Sequence, residues 1–403
     1  MSQYFSMDSR AAPENVRRRL LKLGAMAPMA LGGGLTGALT RAALAQSAAT
    51  DYRALVGVFL FGGNDGNNLL IPLDTAGFAD YQRGRGRLAL DRGGLTAISP
   101  TNTGGRQFAL HPSMAALSAL FESGQCAAVA NVGPLLQPLT RTQWQNNTAQ
   151  TPPNLFSHSD QQTHWQTAWP EEVPKTGWGG RMADVMNSVN TNARISMSVS
   201  LKGSNLLQVG NQVFPQMISS EGTVRLWYYN EAWNYAGTNL TKAVLQQNNT
   251  NVFEQEYRDI FKNAIENEKL LSAALAQAPT TTTVFPDNDL AKQLKMVAKL
   301  ISVRSQLGLK RQVFFCTLDG FDTHGDQLSP HASLLTQLSQ SLQAFYQTTV
   351  ELGMAEAVTT FTSSDFGRTY KSNGKGSDHG WGNHHFVLGG AVKGGDIYGK
   401  VPV

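Results

Sequence analysis

The stretch Leu55-Val56-Gly57-Val58-Phe59-Leu60-Phe61-Gly62-Gly63-Asn64-Asp65-Gly66 is an apolar run that breaks into a glycine turn carrying an acid. A short continuous apolar run bounded by a turn predicts a strand buried on both faces, the kind found in a sheet covered by helices. The turn at its carboxyl end is where open α/β sheets hold their ligands. The turn is not a dinucleotide fingerprint. Its third glycine is misplaced, no helix pattern follows through Leu69-Leu70-Ile71-Pro72, and an acid there would repel a pyrophosphate.

Further strand-like runs are read at Ala127–Val132, Ile195–Val199, Gln312–Leu318, Ala357–Thr362 and His385–Val392. Helical spacing is read over Ser113–Ser123 (Ser113 as cap, Gly124 as stop), Ser157–Thr167, Val252–Ala278, Asp287–Leu307 and Leu334–Leu352. Residues 133–156 read as a proline-dotted loop, and the Asn-, Gln-, Gly- and Ser-rich stretch 203–250 as an insertion or cap. Strands alternating with helices give an α/β class.

Acids and histidines gather at the predicted strand ends. Asp65 follows the first strand; Asp319, Asp322 and His324 follow Gln312–Leu318; Asp365 ends Ala357–Thr362; and Asp378, His379, His384 and His385 come after it. Carboxylates and imidazoles from separate strand ends suit one divalent cation or two, with zinc, manganese or iron fitting the nitrogen share. Each piece also has a plain reading: Asn64-Asp65-Gly66, Asp322-Thr323-His324 and Asp378-His379-Gly380 are all good turn sequences. Ser157 and Asp160 have capping-box spacing, and a helix start also favours a phosphate- or sulfate-like anion. A serine there becomes a nucleophile only with its pKa lowered by a metal; His158 is a ligand or a proton donor, and Arg368 an anion clamp or a surface cation.

The N-terminus carries a different message. Arg17-Arg18-Arg19-Leu20-Leu21-Lys22 precedes a weakly apolar, glycine-interrupted run to Leu39 and the small-residue site Ala43-Leu44-Ala45. That order predicts a twin-arginine signal peptide over residues 1–45, a periplasmic or secreted destination and the translocation machinery as a partner. This segment holds six basic and two acidic residues, so the chain's net charge of +4 belongs to it and residues 46–403 are neutral overall. The basic pI therefore says nothing for nucleic acid, and no later run is long enough to span a bilayer. Cys126 and Cys316 sit in strand-like runs and read as buried thiols, or as a pair in an oxidising compartment, but not as a metal site.

Phe61-Gly62-Gly63-Asn64-Asp65-Gly66, Ser157-His158, Phe321-Asp322-Thr323-His324, Ser364-Asp365-Phe366-Gly367-Arg368-Thr369 and Asp378-His379-Gly380-Trp381 together resemble the twin-arginine-exported bacterial family known as domain of unknown function 1501. That family resembles a distant branch of the alkaline phosphatase and sulfatase superfamily. The resemblance implies a three-layer fold with a mixed, mostly parallel sheet and a dinuclear metal site. It makes Asp65, Asp322, His324, Asp365, Asp378 and His379 ligands and Ser157 the nucleophile, with His158 and Arg368 beside it. Two departures stand out: Phe366 occupies the place where the superfamily has a histidine, and the short Asp322–His324 spacing leaves Asp319 as an alternative ligand. The chain also stops where family members usually continue with a helical segment, which reads as a truncated member.

The implied activity is metal-dependent hydrolysis of a small anionic phosphate or sulfate ester. A non-catalytic exported binding or assembly protein on the same fold is the competing expectation. An exported redox enzyme has no cysteine cluster, haem motif or dinucleotide fingerprint to support it.

Overall fold

In the computed structural model the described residues are 52–171, 175–190, 194–223, 234–235, 238–247 and 250–402. The expected signal peptide lies outside them, as do residues 224–233 of the expected insertion.

The first apolar run forms β1 (Arg53–Leu60), buried from Val56 onward. Seven more strands complete its sheet: β2 (Cys126–Val132), β3 (Ser198–Ser200), β4 (Gln216–Met217), β5 (Arg311–Leu318), β6 (Val358–Ser364), β7 (Asn383–Leu388) and β8 (Ile397–Gly399). Their order is β8-β2-β7-β6-β1-β5-β3-β4. β1 pairs in parallel with both β5 and β6. Only β7 runs against its neighbours, β6 and β2. The architecture is thus α/β with a mixed, mostly parallel sheet flanked by helices, as expected.

The helices that cover or feed this sheet are α1 (Thr75–Arg85), α2 (Ala115–Glu122), α3 (His158–Thr167), α4 (Trp178–Met186), α5 (Val252–Leu275), α6 (Asp289–Ser302) and α7 (Leu328–Glu351). α6 buries Leu290, Leu294, Val297 and Ile301, spaced three or four apart so that one stripe faces the core. Its first turn is capped by Asn288, whose side chain accepts from the Ala291 N–H at 2.8 Å. A separate three-stranded antiparallel sheet is built from Leu70–Pro72, Phe108–Leu110 and Thr96–Ile98.

Several expectations shift. Ser113 does not cap α2: a short 3-10 turn, Pro112–Met114, precedes the helix, and the His111 side chain accepts from Ser113 N. The predicted strand Ile195–Val199 pairs only over Ser198–Ser200. The predicted last strand stops at Leu388, and β8 follows it in parallel with β2. The stretch 203–250 is not wholly an insertion. Leu207, Val213 and Ile218 belong to the core, β4 extends the sheet, and Gln208 donates from Nε2 to the carbonyls of Val199 and Val313 at 2.9 Å each. Both cysteines are free and buried. Among the described residues no helix is long and apolar enough to cross a membrane.

The reversed direction of β7 matters for function. The loops leaving β1, β5 and β6 and the loop entering β7 all emerge at one edge of the sheet.

Candidate metal centre

The loop leaving β1 turns through Gly62 (φ +112) and Gly63 (φ +81). A Cβ on Gly62 would stand 2.4 Å from the Asp322 backbone nitrogen, so only glycine lets the loops after β1 and β5 touch here. Arg368 fastens them together. Its Nε donates to Gly63 O at 2.8 Å and its Nη1 to Ser377 O at 2.9 Å. Its Nη2 reaches Gly62 O at 2.5 Å, Phe321 O at 3.0 Å and Asp322 Oδ1 at 2.5 Å. Arg368 is buried and committed to the protein, so it positions the site and is not a free anion clamp.

Around Asp322 Oδ1 stand three imidazoles. His158, Asp322 and His379 each bring one ligand atom within 4.8 Å of one another. From Asp322 Oδ1 the Nε2 atoms of His324, His379 and His158 lie at 3.1, 3.4 and 3.5 Å. Each ring is oriented by an acceptor on its far nitrogen. His158 Nδ1–H donates to Asp365 Oδ2 at 2.6 Å, His379 Nδ1–H to the Phe156 carbonyl at 2.6 Å, and His324 Nδ1–H to Asp378 Oδ1 at 3.3 Å. Carboxylate and carbonyl oxygens only accept, so the proton of each neutral ring sits on Nδ1 and its Nε2 lone pair faces the centre.

This leaves His324 Nε2 and His379 Nε2 only 2.9 Å apart, lone pair to lone pair. Such a contact is repulsive unless a cation or an added proton stands beside it. Three imidazole nitrogens and a carboxylate oxygen, with the outer nitrogens anchored, are a donor set for zinc or a similar transition metal. Burial pushes the Asp322 carboxyl up. The hydrogen bond and charge of Arg368 outweigh that, with smaller help from His324 and His158, and hold it below the usual carboxylate range.

The residues anticipated from sequence therefore divide into layers. Asp322, His324, His379 and His158 converge, and Asp322 rather than Asp319 reaches the histidines. Asp365 and Asp378 support imidazoles from outside. Asp365 is fully buried and also accepts from Gly62 N at 3.3 Å and Gln162 Nε2 at 2.9 Å. Asp65 is engaged elsewhere: its carboxylate pairs with the buried Arg85 guanidinium, accepts from Gln327 Nε2, and takes Asn67 N at 3.1 Å. Arg85 supplies the positive charge that a second cation would bring to Asp65. Ser157 heads α3 but makes no capping bond; its hydroxyl donates to Asp160 Oδ2 at 2.6 Å.

Sequence reading missed Arg85, Gln162 and Phe156. Phe156 sits at φ +73, rare for a bulky residue, and it is the carbonyl of this strained residue that meets His379. His384 and His385 stay out of the cluster. His384 Nδ1 accepts from Asn131 N at 3.0 Å, while His385 packs edge-on against Trp165 with ring centroids 5.0 Å apart.

Among solved structures the chain is similar to the PsFucS1 sulfatase from Pseudoalteromonas sp., with a TM-score of 0.35 and 9% identity over 92% of this chain and 68% of that one. It is also similar to Ps i-CgsB, at a TM-score of 0.35 and 9% identity over 87% of this chain and 69% of that one. No curated protein matches it. The family model described as protein of unknown function (DUF1501) matches residues 52–403, and the chain belongs to that family.

Proposed function

We propose that this protein is an exported, metal-dependent hydrolase of a phosphate or sulfate ester, built around a single transition-metal ion. The observation that supports it best is that three imidazole Nε2 atoms stand within 3.5 Å of one carboxylate oxygen, each ring held from behind. His158, His324, His379 and Asp322 would hold the ion. A divalent ion there supplies positive charge that polarises an ester oxygen and lowers the pKa of a neighbouring hydroxyl. Asp365, the Phe156 carbonyl and Asp378 keep the three rings in the Nδ1–H tautomer, and Arg368 keeps Asp322 charged. Ser157, next to His158, is the candidate nucleophile. Its partner Asp160 is held below the usual carboxylate range, first by the Ser157 hydrogen bond, and is a weak base that orients the hydroxyl more than it deprotonates it.

Elemental analysis of the folded mature protein is expected to find about one equivalent of zinc, manganese or iron. His158→Ala, His379→Ala and Asp322→Asn should lose it, while Ser157→Ala should keep the metal and lose turnover of aryl phosphates or sulfates. A metal-free, well-folded wild type would remove this reading. A non-catalytic metal-binding protein is favoured by one observation, the burial of Arg368 with all three guanidinium nitrogens already donating to protein oxygens; retained metal with no turnover on any ester would support it.

Export is proposed on the order of Arg17-Arg18-Arg19-Leu20-Leu21-Lys22, apolar run and small-residue site. Arg17→Lys together with Arg18→Lys is expected to leave the protein in the cytoplasm on cell fractionation; unchanged export would sink the assignment.

A further inference from the structure

Further along α3 from the metal centre lies a cavity of about 490 Å³. Trp165 in its wall is seven residues past His158, about 10 Å along the helix axis. Phe361 and Ser363 on β6 line it from the sheet side, sharing the face on which Asp365 follows. Pro134, Leu135 and Trp178 also line it. Its size and apolar, aromatic lining are those of a small-molecule site, and among the described residues that line it none is Asp, Glu, Lys or Arg.

His164 gives this cavity a polar side. The Gln161 amide donates to His164 Nδ1 at 2.9 Å, which puts the His164 proton on Nε2, where no acceptor among the described residues takes it. His164 is buried and lines the cavity, and burial lowers its pKa, so the ring is neutral. Donors on buried side chains are ordinarily paired, and here the described residues leave the His164 Nε2–H unmet beside an apolar space. The aromatic walls are fixed in place: Trp178 Nε1 donates to the Trp165 carbonyl at 3.1 Å, and its ring lies 5.7 Å from that of Phe361.

We infer that this cavity binds an uncharged aromatic small molecule carrying one hydrogen-bond-accepting oxygen. The ring stacks among Trp165, Trp178 and Phe361, and the oxygen accepts from His164 Nε2–H. A charged ligand would find no counter-ion among the described residues that line the cavity. This site is separate from the metal centre and does not depend on it.

The test is titration of the folded protein in excess chelator with 2-naphthol, naphthalene and 2-naphthoate, read by energy transfer from tryptophan and by calorimetry. One 2-naphthol per chain is expected, with 2-naphthoate at least tenfold weaker. Leu135→Trp, which fills the cavity from its mouth, should weaken 2-naphthol at least tenfold. His164→Leu should erase the preference for 2-naphthol over naphthalene. Absence of saturable binding to the wild type, or unchanged binding to a folded Leu135→Trp variant, overturns the site; a preserved preference in His164→Leu overturns its hydrogen-bonding half. Should Leu135→Trp fail to fold, the indole N–H resonances of Trp165 and Trp178 decide, since signals unmoved by 2-naphthol also overturn the site. Because chelator is present throughout, a negative result leaves the hydrolase proposal standing, and a positive one does not support it.

Discussion

Arg85→Ala is expected to lower folding stability by about 3–5 kcal/mol, because it leaves the Asp65 carboxylate charged and unpaired in the interior. Both side chains of the pair are fully buried. Arg85 also donates to Asn68 Oδ1 at 3.2 Å and to the Thr369 and Tyr370 carbonyls at 3.0 Å each, so its loss unties α1 from the loop that follows β6. Urea unfolding of wild type and variant in chelator measures the cost. The double variant Asp65→Asn with Arg85→Met should recover most of it, since removing both charges removes the burial penalty with the attraction. A loss below about 1 kcal/mol for Arg85→Ala would show that the pair does not hold this region. The single variant Asp65→Asn separates one metal ion from two. With Asp65 tied to Arg85, Asp65→Asn should leave metal content unchanged, whereas a dinuclear site would lose metal.

The second large effect is with acid. Burial lowers His111, His331 and His384 from 6.5 to about 4, and His385 to about 3. The unfolded chain therefore binds more protons than the folded one below pH 6.5. Stability is complete above that value and falls as the pH drops toward 4. Each ring lowered to about 4 costs about 3 kcal/mol by the bottom of that window, at 1.36 kcal/mol per pKa unit. Several such groups match the whole stability of an ordinary domain, so the protein is expected to unfold between about pH 5 and 4. Denaturant midpoints at pH 7.5, 6.0 and 5.0 in chelator, which excludes metal release, give the slope. His385→Leu should lower that slope by about one proton and leave stability at pH 7.5 equal or higher, because neither ring nitrogen of His385 has a partner to lose. A flat profile from pH 7.5 to 5.0 would contradict the account.

How much of this was visible in the sequence follows from what each residue answers to. β1, β5 and β6 were found to within a few residues because central parallel strands, covered on both faces, have continuous apolar runs. The start of α7 was placed six residues late. Ser329-Pro330-His331 reads as a break, yet Pro330 lies in the first turn, where an N–H has no helical acceptor to lose. α6 ended earlier than its spacing promised, at Ser302 rather than Leu307. At the site, Asp322, His324 and His379 were legible because strand ends collect ligands and these are ligand residue types. The fate of Asp65 was not. Its partner Arg85 lies on another element, and nothing in the run of residues says which carboxylate an arginine will neutralise. Arg368 was read as solvated or catalytic for the same reason: its acceptors are mostly backbone carbonyls, which no sequence pattern marks.

The reversal of β7 has an evolutionary consequence. One uninterrupted connection, residues 365–382, contributes Asp365, Arg368, Asp378 and His379, and it leaves and re-enters the sheet at the same edge between adjacent strands. That makes it a cassette: the stretch between its two motifs, residues 370–377, can diverge or lengthen while the strands that carry it keep their register. Variation across this family should therefore concentrate between its two motifs, in residues 370–377, with the motifs and the sheet inherited together.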